Sequence, residues 1–101
     1  MHHMLFFVAG LLFCNCIPHL AAGLRGEPFP TPFSKPRGVG LSSPLLNFLW
    51  GTSNLAAFGW LIEIPRMIGS TFSAVMMLVG FLVAGLYLAR HFGRVRAQHD
   101  A

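Results

Sequence analysis

Three long apolar stretches constrain this chain more than any other feature of its sequence. They cover residues 4–24, 45–64 and 67–89, and the last of them carries no charged side chain. A helix rises about 1.5 Å per residue, so about 20 apolar residues cross a hydrocarbon core of about 30 Å. Because the backbone polar groups of a segment in lipid must be bonded internally, we expect three transmembrane helices.

The composition supports a membrane fold over a water-soluble one. Only 10% of the 101 residues are charged and 54% are hydrophobic, whereas an ordinary soluble domain has roughly 25% charged residues. A small soluble domain needs a polar shell, because its surface is large relative to its volume. The sequence therefore predicts an all-α integral membrane fold, with residues 1–101 forming a single membrane domain.

The placement of the positive charges predicts the orientation of the chain. With three spans, residues 25–44 and the basic tail 90–101 lie on one side, and the N-terminus and the turn at Pro65 lie on the other. Six of the seven Lys and Arg residues fall on the first side, and only Arg66 falls on the second. Because such residues favour the cytoplasm, we expect the N-terminus outside and the tail inside. The net charge of +4 is thus attributed to topology rather than to nucleic-acid binding.

The first apolar stretch has a second interpretation as a secretory signal peptide. No Lys or Arg precedes it, and its removal would place the basic tail outside, so we expect a retained helix.

Residues 25–44 form a Pro-rich and Gly-rich segment that cannot continue a helix. Alternate prolines favour extended backbone, and Pro30 and Pro32 lie between Phe29 and Phe33. Large aromatic side chains are unusual in a freely solvated linker. We expect both phenylalanines to lie at the headgroup boundary or to fold back onto the helix ends.

The boundaries of the second span also follow from local signals. Ser42 or Ser43 is expected to cap this helix, with Pro44 at its first position, where the missing N–H is tolerated. Only Pro65 and Arg66 separate the second span from the third. We therefore expect these two helices to form an antiparallel hairpin and to pack against each other.

Polar residues inside the first two spans define a predicted seam. Asn15 and His19 share one helix face, and Asn47, Gly51 and Asn54 share another. Depths are measured from the cytoplasmic ends of the two spans, at Leu24 and Leu45, with a rise of about 1.5 Å per residue. Asn15 and Asn54 then both lie about 13.5 Å deep. His19 lies about 7.5 Å deep, close to Gly51 at about 9 Å. We expect the two helices to pack antiparallel through these residues, with Gly51 allowing close approach.

The seam has three interpretations. Hydrogen bonding between helices is the first, and a polar site for a small ligand or a proton is the second. A metal site at Cys14, Cys16 and His19 is the third, but helical geometry turns Cys14 away from the other two. The sequence predicts no metal site and no cofactor.

Four short motifs carry a family resemblance. They are Asn15-x-x-Pro18-His19, the run of residues 29–33 (FPTPF), the run of residues 40–44 (GLSSP), and residues 47–54, in which NFLWG is followed by Asn54. The chain resembles a group of small uncharacterised bacterial multi-pass inner-membrane proteins, over about residues 15–54. The resemblance implies a bacterial inner-membrane location. The group has no assigned activity, so no functional residue is carried over.

The expected function is a non-enzymatic interaction or accessory subunit, because no span pairs a nucleophile with a base. The alternative is a transporter or holin-like pore component that uses the polar seam. The expected partners are the lipid bilayer and either further copies of this chain or a larger membrane complex, since three helices bury little surface.

Overall fold

A computed structural model describes residues 2–63 and 71–100, which form three α-helices. They are α1 (His2–Leu24), α2 (Pro44–Glu63) and α3 (Thr71–Asp100). Each is long and apolar enough to cross a membrane. Within these ranges there is no β-strand, only one isolated antiparallel bridge between Phe29 and Ser42. The all-helical architecture predicted from the sequence is confirmed.

Local chemistry fixes the end of α1 and the start of α2. After α1, Gly26 adopts a left-handed φ of 69°, and the Glu27 amide donates back to the Ala22 carbonyl over 2.9 Å. This closure satisfies a carbonyl that the helix end would leave unbonded. At the start of α2, the Ser43 hydroxyl accepts from the Leu46 amide over 3.1 Å. Ser43 is therefore the N-cap and Pro44 the first helical residue.

Helix α1 lies between the other two helices. It runs antiparallel to α2 and parallel to α3, and these are the helix pairs in contact within residues 2–63 and 71–100. The direct packing of α2 on α3 expected from their short connection is not seen there, since no Cα of α2 comes within 8 Å of one of α3. The turn at Pro65 and Arg66 lies outside the described residues.

Two glycines explain why α3 packs on α1. A Cβ atom at Gly10 of α1 would collide with the Met77 carbonyl oxygen of α3, and one at Gly80 would collide with the Phe7 carbonyl oxygen. The two backbones are thus in direct contact at a reciprocal glycine crossing. Such close approach is the usual basis of helix association in lipid, where no hydrophobic force draws helices together.

Helix α3 continues well beyond the predicted span. The sequence predicted a span over residues 67–89 followed by a basic tail over residues 90–101, and α3 runs as one helix from Thr71 to Asp100. One face of this extension contacts the loop between α1 and α2 through His91 and His99, and Val95 between them is only 4% exposed. The long axis of the molecule measures 45 Å, comparable with a bilayer of about 40–45 Å including its headgroups.

Candidate functional site

The predicted seam is present between α1 and α2. The side-chain amide of Asn15 donates from Nδ2 to Oδ1 of Asn54 over 3.1 Å. Asn54 is buried and donates its own Nδ2 to the Trp50 carbonyl over 2.8 Å. Gly51 packs against Leu20, because a Cβ there would lie 2.8 Å from the Leu20 Cγ. The depth matching of Asn15 with Asn54 therefore corresponds to a direct contact.

His19 meets Asn47 rather than Gly51 at the end of the seam nearest residues 25–43. Nδ1 of His19 lies 2.8 Å from Oδ1 of Asn47, and the two residues are 2% and 0% exposed. An amide oxygen only accepts hydrogen bonds, so His19 carries a proton on Nδ1 and donates it to Asn47. The histidine orientation is thus fixed by a partner on the next helix.

The other side of the Asn47 amide binds the loop formed by residues 25–43, hereafter the connecting loop. Its Nδ2 lies 2.9 Å from the Phe29 carbonyl oxygen, 3.3 Å from that of Ser42 and 3.0 Å from that of Ser43. Two amide hydrogens serve these three acceptors, so at least one hydrogen is shared. Asn47 therefore joins α1, α2 and the connecting loop at one buried point.

Hydroxyl groups organise the interior of the connecting loop. The Thr31 and Ser42 hydroxyls are 2.6 Å apart, and the Thr31 carbonyl accepts from the Ser34 hydroxyl over 2.6 Å and from the Gly38 amide over 2.9 Å. Thr31, Ser34 and Ser42 are all buried. The loop is therefore a folded unit in which buried hydroxyl groups bond to one another and to the backbone, as buried polar groups require.

The loop residues predicted to fold back behave differently from one another. The ring of Phe29 lies 5.6 Å from that of His19 and 4.6 Å from that of Phe92 on α3. Phe33 packs edge-on against Trp50 at 5.1 Å but is 58% exposed. Pro30 is buried and Pro32 exposed. Phe29 thus packs between His19 of α1 and Phe92 of α3, whereas Phe33 lies on the outer surface of the loop.

Two histidines of α3 bind the connecting loop, which the sequence did not predict. Nε2 of His91 donates to the Gly38 carbonyl over 2.7 Å, and Nε2 of His99 donates to the Val39 carbonyl over 2.7 Å. Their spacing of eight residues places them near one face of a helix, but only the continuation of α3 through the tail brings that face to the loop.

The two thiols of α1 make contacts with different neighbouring groups of the chain. Cys16 donates its S–H to the Phe13 carbonyl over 3.0 Å, and Cys14 lies beside Gly85 of α3. His19 of the same motif is bonded to Asn47. Among the residues that the structure describes, no group of three His, Cys, Asp or Glu side chains is placed to hold a metal ion.

One polar group beside the seam has no protein partner. Nε1 of Trp50 is buried and makes no hydrogen bond within the described ranges. Trp50 also lines a cavity of about 160 Å³, together with Asn15, His19 and His91. Among the described residues, this indole N–H is the buried side-chain donor that lacks a hydrogen-bond partner.

Comparisons of the chain with protein-family models, with curated proteins and with solved structures found no match.

Sequence reasoning missed the interior of the connecting loop. Thr31, Ser34 and Ser42 are buried hydroxyl residues that hold its turns together, and Thr31 also accepts from the Phe33 amide over 3.2 Å. A signal was present, because short hydroxyl side chains between prolines often bond to the backbone nearby. The bond from Asn47 to the loop has no comparable local signal, because it joins residues 18 positions apart.

Proposed function

We propose that this chain is a small integral protein of the bacterial inner membrane that acts as a non-enzymatic interaction or accessory subunit. Its cytoplasmic recognition surface is the connecting loop. Its N-terminus lies outside and α3 ends in the cytoplasm. The observation that carries the proposal is a loop that is rigidly attached to all three helices and still exposes large apolar and basic side chains.

The attachment of the loop supports recognition rather than simple connection. Asn47 of α2 and two histidines of α3 bind its backbone, and Phe29 packs on α1. A loop that only linked two spans would need none of these contacts. Loops held by a rigid scaffold commonly carry binding functions.

The outer surface of the loop has the composition of a protein contact. Phe33 and Leu41 are 58% and 54% exposed, and Lys35 and Arg37 are exposed between them. Large apolar side chains on an ordered surface are typical of interaction sites. We propose that the partner presents an apolar patch with acidic residues near it, complementary to this surface.

The helices support membrane insertion and association. Leu45, Trp60 and Leu86 are among the most exposed side chains, at 68%, 67% and 70%. An apolar outward face is suited to lipid or to a neighbouring helix. Because α1 is the only helix that α2 and α3 each contact in the described residues, their outward faces are available for a second copy of the chain or for another membrane subunit.

The pore or transporter function is the second candidate from the sequence. A conducting path needs polar groups that face water or substrate, whereas Asn15, His19, Asn47 and Asn54 bond to one another or to backbone carbonyls. The seam therefore supports helix attachment better than conduction.

Site-specific photocrosslinking in living bacteria tests the proposal. A photoreactive residue at position 33 should give a discrete adduct with one membrane or cytoplasmic polypeptide, and a Lys35→Glu, Arg37→Glu variant should reduce its yield severalfold. Position 24, which is 74% exposed and lies outside the loop, is the matched control and should not give that adduct. Adducts with lipid alone from position 33 would refute the recognition surface. Depolarisation of the membrane on overexpression would favour a pore.

A further inference from the structure

A basic cavity and an apolar groove meet at two phenylalanines on one side of the molecule. The basic cavity has a volume of about 280 Å³ and is lined by Arg25, Glu27, Phe29, Phe92 and Arg96. The apolar groove has a volume of about 380 Å³ and is lined by Ile17, Pro18, Phe81 and Leu88, and again by Phe29 and Phe92. Because the same two rings border both spaces, the cavity and the groove adjoin each other, and together they are called the candidate site.

The spacing of the lining residues shows that the site follows the helices. On α3 the lining positions are 81, 85, 88, 89, 92, 96 and 99. Each of these positions is three or four residues from another, so they form one stripe along the helix. The polarity changes along that stripe, from apolar side chains up to Phe92 to Arg96 and His99 beyond it.

The apolar part and the basic part of the stripe together match the two layers of one bilayer leaflet, its acyl chains and its headgroups. Phe81 to Phe92 spans about 16 Å at about 1.5 Å per residue, and half of a hydrocarbon core is about 15 Å thick. Phe92 to His99 spans about 10 Å by the same rise, enough for a headgroup layer. The change from apolar to basic lining therefore falls where acyl chains would give way to headgroups.

The basic cavity is equipped to bind phosphate. Nε of Arg25 donates to Glu27 over 2.7 Å, an ion pair that orients the guanidinium. An arginine side chain has five N–H donors in a planar fork, so one carboxylate contact does not exhaust it. Arg96 of α3 lines the same cavity and is itself engaged in a contact within the chain. Such a contact likewise leaves further N–H donors on its guanidinium. A lining with two guanidinium groups and one carboxylate favours an anionic ligand.

We propose that this site binds one anionic phospholipid of the cytoplasmic leaflet, with its phosphate between Arg25 and Arg96 and one acyl chain in the apolar groove. The proposal rests on the membrane placement proposed above. It adds a ligand class that neither the polar seam nor the recognition surface requires. The bound lipid would also contact the connecting loop through Phe29, and would thereby hold the loop against α3.

Native mass spectrometry of the full chain in detergent tests the site. The wild-type protein is titrated with phosphatidylglycerol or with phosphatidylcholine of identical acyl chains. The first phosphatidylglycerol should bind about tenfold more tightly. Both lipids carry a phosphate, but the choline cation of phosphatidylcholine would be repelled by the two arginines, whereas phosphatidylglycerol is a net anion. Equal affinities would overturn the proposal, and this comparison requires no variant.

Paired variants separate the two parts of the site. Arg96→Gln should weaken phosphatidylglycerol binding about tenfold, the loss expected for one charge-assisted contact. Arg94→Gln, which removes the same charge from another face of α3, should leave it nearly unchanged. Ala89→Phe should weaken binding by filling the groove that Ala89 lines, and Leu86→Phe, at a position outside the groove, should not. Equal losses for Arg94→Gln and Arg96→Gln, or no loss for Ala89→Phe, would contradict a built site.

Two further arms distinguish other causes. Soluble glycerol phosphate should compete poorly, because it lacks an acyl chain; competition as strong as that of the lipid would show a free-phosphate site instead and overturn the proposal. Alkaline extraction of cell membranes tests insertion separately. A protein that stays in the membrane pellet but shows no lipid selectivity refutes only the lipid site.

Discussion

Nδ1 of His19 lies 2.8 Å from Oδ1 of Asn47, and this contact joins α1 to α2 at the level of the connecting loop. Both side chains are nearly inaccessible to solvent. The same Asn47 amide directs its Nδ2 at three loop carbonyls. One asparagine therefore sets the histidine orientation, the packing of two helices and the position of the loop.

Replacement of Asn47 should cost more stability than any other change in the seam. An Asn47→Leu variant leaves the buried His19 N–H without an acceptor, and a buried unsatisfied group costs about 1–3 kcal/mol. It also removes the side-chain donor that the Phe29, Ser42 and Ser43 carbonyls share, although each of them keeps a backbone N–H partner. We expect a loss of about 2–4 kcal/mol in unfolding free energy, measured by denaturation in detergent. Thr52→Ala, at an exposed position of the same helix, is the control and should change little. A loss no greater than that of the control would contradict the central role of Asn47.

The contact between Asn15 and Asn54 predicts energetic coupling. Asn15→Leu and Asn54→Leu should each destabilise the protein, and the double variant should lose less than the sum of the single losses. The coupling energy should be about 0.5–1.5 kcal/mol, the usual range for hydrogen bonds between membrane helices. A double-mutant cycle by denaturation in detergent measures it. Strict additivity would show that the 3.1 Å contact does not contribute.

The sequence predicted well the features that depend on local composition and helix geometry. The length of the apolar stretches predicted three helices, and Ser43 followed by Pro44 predicted the start of α2. Equal depth brought Asn15 and Asn54 together correctly. For His19 the same reasoning chose Gly51, yet the long side chain reaches Asn47 one turn away, while Gly51 contacts the adjacent Leu20.

The arrangement of the helices and the fold of the loop could not be predicted in the same way. A short connection favours packing of neighbours in sequence, but the glycine crossing of α1 with α3 and the polar seam of α1 with α2 place α1 in the centre. In the sequence, nothing distinguishes Gly10 from any other glycine in an apolar run; its importance follows from its position opposite Met77. The bonds of His91 and His99 likewise depend on where the loop folds.

The glycine crossing should tolerate no methyl group. Gly10→Ala and Gly80→Ala each place a Cβ against a carbonyl oxygen of the other helix, so α1 and α3 must separate and lose contact. We expect a loss of about 1–3 kcal/mol each, as for overpacked cores. Gly59→Ala is the matched control, because a Cβ at Gly59 meets no atom within 4 Å.

The Gly59→Ala control should change stability in the opposite sense to the two crossing variants, or not at all. Alanine is favoured over glycine in a helix, so the control should be neutral or slightly stabilising. Thermal denaturation of the purified variants in one detergent would measure all three. Equal stability of Gly10→Ala and Gly59→Ala would be incompatible with direct backbone contact.

The bond from His91 to the loop predicts a local dynamic effect. His91→Ala removes the donor to the Gly38 carbonyl, and the loop near Gly38 should open more often. We expect amide hydrogen exchange across residues 36–43 to become about 5-fold to 10-fold faster, which corresponds to about 1 kcal/mol for one hydrogen bond. Gln98→Ala, at an exposed position of the same helix extension, should leave these rates unchanged. Unaltered exchange in His91→Ala would mean that the loop is held without α3.

Labelling of single cysteines in intact cells tests most directly whether the chain spans the membrane with the proposed orientation. In a background with Cys14 and Cys16 replaced by alanine, a cysteine is placed at position 2, 35 or 98 and treated with a membrane-impermeant maleimide. The account predicts labelling at position 2 in intact cells, and labelling at positions 35 and 98 only after permeabilisation. Labelling of position 98 in intact cells, or of none of the three until the membrane is opened, would contradict it.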